Sequence, residues 1–266
     1  MKQANKENQI TRSLYGLVVW AGPVLLLGTA VLSLIQPGFI QRHYARAEIA
    51  PDLATLTRAE IAQAGLVALT PGQRLALATE TVVYLQSWQP VPVALDRLAQ
   101  LQLPTTGQPL YDQRELAHLG DVKQRTDAIR WLTLLAGLGW GLGLAGLTYY
   151  SSAAYRPYRA VRQGGYLTIG LVSLLAATLY WGWGLFFYQF HGLLFPAGSW
   201  HFAPGSSLMR LFPESLFYAA GLTIAFRAGL GSLLAIGASY LWAALVTQPH
   251  VAAIAEGDSD VVTDLV

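Results

Sequence analysis

The chain has 266 residues, 53% of them hydrophobic and only 12% charged, a balance that excludes an ordinary soluble domain and points to an integral membrane protein. A net charge of +2 is too small to recruit nucleic acid, and none is expected as a partner. The absence of cysteine excludes a thiol nucleophile, a thiolate metal site and any disulfide.

Lys2, Lys6 and Arg12 give residues 1–13 a basic character. Leu14 to Ile35 then runs without a charge, about 33 Å as a helix, enough to cross a hydrocarbon core of about 30 Å. This stretch, 14–35, is read as a first span. It is longer than a signal-peptide core, and the nearest Ala-x-Ala site, Ala45 to Ala47, lies among charges beyond it, so a retained anchor is expected.

Residues 36–130 carry nine Lys/Arg and nine Asp/Glu and read as one polar, mostly helical domain between the first two spans. Thr70 before Pro71 is an N-cap followed by an N1 proline, and Thr105 to Pro109 reads as a loop. Asp112 can cap a helix that runs on into the second span, because no proline interrupts 112–131.

The second span is 131–150, with glycines at 137, 139, 141, 143 and 146. The pairs Gly137/Gly141 and Gly139/Gly143 have the spacing that lets helix backbones approach closely in lipid. A loop at 151–164 carries Arg156, Arg159 and Arg162 with no acid. The third span, 165–187, ends in a belt of aromatics (Tyr180, Trp181, Trp183, Phe186, Phe187) of the kind that marks a membrane interface. Residues 188–213 read as an interfacial loop, 214–246 as a fourth span and 247–266 as an acidic tail. Within the fourth span Arg227 is expected to face the bundle interior, since a charge facing lipid is costly.

The positive-inside rule places the N-terminus, the 151–164 loop and the tail in the cytoplasm. The expected architecture is therefore an all-α membrane protein: four transmembrane helices capped by a mostly helical extracytoplasmic domain. His118 and His191, about seventy residues apart in sequence, then share the outer face.

Two tracts carry candidate chemistry. In Glu115-Leu-Ala-His118-Leu-Gly-Asp121-Val-Lys123 the residues Glu115, His118 and Asp121 recur every three positions and share a helix face. A carboxylate beside an imidazole fixes its tautomer and raises its basicity, as a general base requires. The same residues also fit a solvated helix end paired with Arg114 and Lys123. The second tract, Phe190-His191-Gly-Leu-Leu-Phe195-Pro196-Ala-Gly-Ser-Trp200, is apolar but broken, and fits either a loop lying in the interface around His191 or an interfacial anchor. Zinc or iron ligation by Glu115, His118, Asp121 and a second histidine is a rival use, but no His-x3-His pair is present and no metal or other cofactor is expected.

These tracts, with Trp200-His-Phe202, Leu208-Met-Arg210-Leu-Phe212-Pro213-Glu214 and Tyr84-Leu85, resemble the Lit-type family of bacterial four-span lipoprotein intramolecular transacylases. The resemblance implies transfer of an acyl chain from the glyceryl group of a lipoprotein's N-terminal diacylglyceryl-cysteine to its α-amine, giving the lyso form. It implies His118 and His191 as the catalytic pair, and the tracts around them offer Glu115, Asp121, Lys123, Trp200 and Arg210 as supporting residues. Lys123 and Arg210 fit either holding the charge of the intermediate or a lipid headgroup, or snorkelling to the interface. The implied partners are a diacylated lipoprotein N-terminus and membrane lipid, and the implied location is the bacterial plasma or inner membrane, working on its extracytoplasmic side. The chain departs from the resemblance at Ala203, where an aspartate is expected. Two other functions fit the same residues: a noncatalytic lipid- or partner-binding membrane protein, and a metal-dependent membrane hydrolase.

Overall fold

The structure, a computed structural model, describes residues 2–46, 69–150, 156–203 and 205–259. Part of the expected outer domain (47–68), part of the expected basic loop (151–155) and the end of the tail (260–266) lie outside the described residues. Regular structure among the described residues is helical: α1 Lys2–Leu32, α2 Pro37–Arg46, α3 Pro71–Gln86, α4 Val91–Ala99, α5 Gln113–Tyr149, α6 Pro157–Leu194, α7 Ser207–Leu211 and α8 Glu214–Ser259. Four of them, α1, α5, α6 and α8, contain stretches long and apolar enough to cross a membrane.

Local chemistry explains where the helices start. Thr70 caps α3 by accepting from Gln73 N at 3.2 Å, while Gln73 Oε1 accepts from Thr70 N at 2.9 Å, a capping box in front of Pro71. Asp112 and Glu115 form the same reciprocal pair at α5: Glu115 N donates to Asp112 Oδ1 at 2.8 Å, and Asp112 N donates to Glu115 Oε2 at 2.9 Å. From there α5 runs unbroken into the apolar stretch for 37 residues, about 55 Å. That length lets one helix carry both the polar tract around His118 and a full span.

Two elements differ from the sequence expectation. The third long helix does not end near Phe187 but continues to Leu194, so His191 sits on its last turns rather than in a loop. The reason is that no proline interrupts the aromatic run before Pro196. The helix instead breaks its geometry earlier, at Gly182, whose φ and ψ are −150° and 42°. The fourth helix, α8, extends past Val246 into the expected tail, reaching Ser259.

The chain divides into two compact units. One comprises residues 1–27, 133–173 and 226–266. In it Val18, Leu147 and Ala160 are enclosed, and α1 and α5 approach so closely that a Cβ at Gly143 or Gly146 would fall 2.7 Å from Val18 or Leu14. Gly141 instead faces open space, while a Cβ at Gly137 would lie 3.4 Å from Leu25 and one at Gly139 3.5 Å from Leu17, so the contact follows Gly137, Gly139, Gly143 and Gly146. Buried Thr168 and Ser232 satisfy their hydroxyls on their own helices, donating to Gly164 O and Ala228 O. Arg227 belongs to this unit and is half-buried.

The other unit comprises residues 28–132 and 174–225. Its core gathers Leu77, Val82, Leu98, Leu110, Leu116, Leu119 and Leu211. Buried tyrosines tie the core together: Tyr111 and Thr81 share a hydrogen bond of 2.7 Å, and the Tyr84 and Tyr44 hydroxyls donate to Leu119 O and Leu211 O. The expected loop at 105–109 is a tight reversal with Gly107 at φ 68°, closed by Leu103 N to Gln108 O and Leu110 N to Leu101 O.

Candidate active site

Both tracts fall within the second unit. His118 follows the capped start of α5, and His191 sits one turn before the end of α6. The two imidazoles are 8% and 9% exposed. Phe195 packs against both, its ring 4.8 Å from His118 and 5.7 Å from His191, while Phe202 covers His118 at 5.3 Å.

The two rings are held differently. His191 Nδ1 lies 2.8 Å from Phe187 O, and only the Nδ1–H tautomer can make that bond to a carbonyl. Its Nε2 therefore keeps a free lone pair. The aromatic surround consists of Phe187 at 4.0 Å, Trp200 at 5.0 Å, Phe190 at 5.5 Å and Phe217 at 6.4 Å. His118 Nδ1, by contrast, is buried and has no hydrogen-bond partner. A buried nitrogen left open is costly unless a substrate or water completes it.

Both imidazoles lie outside the charge-free stretches 131–150 and 165–187. Burial pushes His118 down to about 4; the charge of nearby His191 acts in the same direction, and Asp121 opposes it. Burial lowers His191 too, against the bond to Phe187 O. Burial thus favours the neutral form of both rings, the state in which each can accept a proton.

The supporting residues separate. Glu115, expected to orient His118, does not bond to its Nδ1: Oε2 accepts from Asp112 N, and Oε1 accepts from Leu208 N at 2.8 Å. The carboxylate is thus spent on two backbone amides, one of them in α7. Asp121 is half-buried and acts on His118 through charge. Lys123, expected near a lipid headgroup, is instead fully enclosed, with Nζ bonded to Ser87 O at 2.7 Å and to both oxygens of Asp127. It is drawn inward because the carbonyls ending α3 need donors, a need that Arg130 also meets at Leu85 O and Gln86 O. Trp200 is at the site, stacked on His201 at 3.7 Å as well as facing His191. Arg210 lies half-buried on α7, with its guanidinium beside Gly205.

Two arginines complete the picture: Arg114, expected only to pair with a solvated helix end, and Arg125, which the sequence did not single out. Arg114 donates to Gly198 O and His201 O, and Arg125 Nε donates to Leu194 O at 3.0 Å. With Glu115 on Leu208 N, they fasten the segment from 194 to 208 onto α5. Ala203 is exposed and contributes only its carbonyl, which accepts from Ser206 N at 2.9 Å. The loop is thus held by α5 rather than by an acid at position 203. Among the described residues no three His, Asp or Glu side chains converge as metal ligands would.

A sequence model of the family described as "Lipoprotein intramolecular transacylase Lit" matches residues 60–217, more than half of the chain. The chain belongs to the Lit family. The same fold is found in the in meso structure of the membrane-integral lipoprotein intramolecular transacylase Lit from Bacillus cereus. That structure is 19% identical, has a TM-score of 0.66, and the match covers 92% of this chain and 99% of that one. Two forms of the B. cereus protein with a histidine replaced, by arginine or by alanine, match at 17% and 18% identity, each with a TM-score of 0.64 and 94% of this chain covered. The match covers 98% of the arginine form and 99% of the alanine form. No curated protein sequence matches the chain. Four apolar helices and the shared fold make it a multi-pass membrane protein.

Proposed function

We propose that the chain is an intramolecular lipoprotein transacylase whose catalytic pair is His118 and His191. It moves an acyl chain from the glyceryl group of a diacylglyceryl-cysteine at a lipoprotein N-terminus to the α-amine of that cysteine. Membership of the Lit family supports the reaction. The observation that carries the site is the shared packing of two neutral, buried imidazoles on Phe195, one with its tautomer fixed and one with an open nitrogen.

Donor ester and acceptor amine belong to one molecule, so their effective concentration is already high and little covalent help is needed. What remains is moving protons. An α-ammonium has a pKa of about 8, so a neutral base increases the attacking fraction. His191 Nε2 takes that proton. The amine nitrogen then attacks the ester carbonyl carbon and passes its second proton to His118; the bond from that carbon to the glyceryl oxygen breaks, and the oxygen takes that proton from the His118 imidazolium. Starting from the ammonium, amide and alcohol form with release of one proton, and no co-reactant is required. Asp121 supports the charge His118 carries before it donates. The aromatic surround excludes water that would otherwise hydrolyse the ester.

Arg156, Arg159 and Arg162 on one side of the third span, with Lys2, Lys6 and Arg12 before the first, favour an extracytoplasmic site in the bacterial plasma or inner membrane. The boundaries 14–35, 131–150, 165–187 and 214–246 then serve as spans. The substrate is a diacylated lipoprotein N-terminus, and membrane lipid surrounds the site as a partner. Expression of the chain in cells that make only diacylated lipoproteins with free α-amines tests the function. Mass spectrometry of N-terminal peptides should reveal the N-acyl, lyso form; unchanged N-termini would favour a noncatalytic binding protein.

A further inference from the structure

His191 stands nine residues beyond the break at Gly182, so its position depends on what fixes the segment after that break. An uninterrupted helix transmits position along its own hydrogen bonds. A helix interrupted at one residue loses that guide and needs a lateral contact.

The first residue past the break supplies such a contact. The indole N–H of Trp183 donates to Oε1 of Glu214, the opening residue of α8. The Trp183 ring also meets Tyr218 edge-on at 5.2 Å and packs on Phe187 at 5.4 Å. Phe187 in turn holds His191 twice, by its ring at 4.0 Å and by its carbonyl at 2.8 Å from Nδ1. Phe217, also on α8, closes the group against Phe187 at 5.9 Å. A continuous chain of contacts thus leads from Glu214 through Trp183 and Phe187 to the imidazole.

We infer that the Trp183–Glu214 hydrogen bond is a latch that sets the position of His191, and that Trp183 and Glu214 are positioning residues for the transacylation. The inference rests on His191 being catalytic. Neither latch residue touches the imidazole itself. Their effect falls on turnover rather than substrate capture, because a small misplacement of a reacting group slows the step without removing the surfaces that hold substrate.

The test uses purified full-length protein and a synthetic peptide bearing an N-terminal diacylglyceryl-cysteine. Trp183→Phe keeps the ring but loses the donor, and Glu214→Ala loses the acceptor. Each should lower kcat about tenfold with KM changed less than twofold. Because both remove one bond, the double variant should be no slower than either single one. Glu214→Gln keeps an acceptor oxygen and should retain more than half of wild-type kcat. The 15N signature of a His191 Nδ1–H bonded to a carbonyl should weaken in Trp183→Phe and persist in Glu214→Gln. A Trp183→Phe enzyme within twofold of wild type, or a double variant with multiplied losses, would overturn the latch. His191→Ala run alongside separates the two claims: if it is inactive while Trp183→Phe is normal, only the latch fails, and if it is active, the assignment of His191 fails first.

Discussion

Replacing Glu115 with alanine removes a carboxylate that is 3% exposed and whose two oxygens accept from the backbone amides of Asp112 and Leu208. A hydrogen bond to a charged group contributes about 1.5–3 kcal/mol. Losing two, offset in part by no longer burying the carboxylate, gives a net cost of roughly 3 kcal/mol. At about 2–4 °C per kcal/mol for a chain of this size, the unfolding temperature should fall by roughly 6–12 °C. Glu115→Gln keeps one acceptor and should lie between. Thermal unfolding in detergent checks the stability, and limited proteolysis of 194–208 checks the loop, which should be cut faster once Leu208 N loses its partner. Conversion measured below the transition should drop less than tenfold, because Arg114 and Arg125 still hold the loop. An alanine variant with unchanged stability and abolished conversion would refute the capping role and put the carboxylate in the chemistry.

Lys123→Met should lower stability by about 1–3 kcal/mol, seen as reduced thermal stability with conversion retained below the transition, because Ser87 O loses a donor and Asp127 keeps only Arg130. Gly143→Ala places a methyl 2.7 Å from Val18 and should cost about 1–3 kcal/mol, again measurable by thermal unfolding, whereas Gly141→Ala meets open space and should be nearly neutral. Acid should destabilise the fold through His118. Its folded pKa of about 4 lies below the ordinary histidine value of 6.5, so stability is complete above the unfolded value and is lost as pH falls from there towards 4. At pH 5 the loss is on the order of 2 kcal/mol. His118→Phe should show a shallower acid slope in unfolding measurements, and an identical slope would contradict the burial of a neutral imidazole.

Features set by local sequence were legible. Long apolar runs marked the four helices long enough to cross a membrane, and Thr70 and Asp112 marked helix starts because their capping partners lie three residues on. The continuity of α5 followed from the absence of proline between 112 and 131. Features set by distant partners were not. Glu115 and Leu208 are 93 positions apart, and the carbonyl that takes Lys123 inward, Ser87 O, is 36 away, so neither role has a local signature. Phe202 reaches His118 only because a loop held by Arg114 folds back onto α5. The Phe187, His191, Phe195 series did have a signal, since the three recur every fourth residue along one helix face. That signal was obscured by reading the helix as ending before His191. Ala203 shows the converse: an expected acid is absent, yet the loop is ordered by side chains that approach from another element.

The central claim is that two imidazoles move the protons of an acyl migration, and single-residue loss at each tests it most directly. His118→Ala and His191→Ala proteins, purified from membranes with wild-type thermal stability, should each fail to convert a synthetic diacylglyceryl-cysteine peptide to its N-acyl lyso form by mass spectrometry. Conversion at the wild-type rate by either variant would contradict the account and remove that histidine from the mechanism.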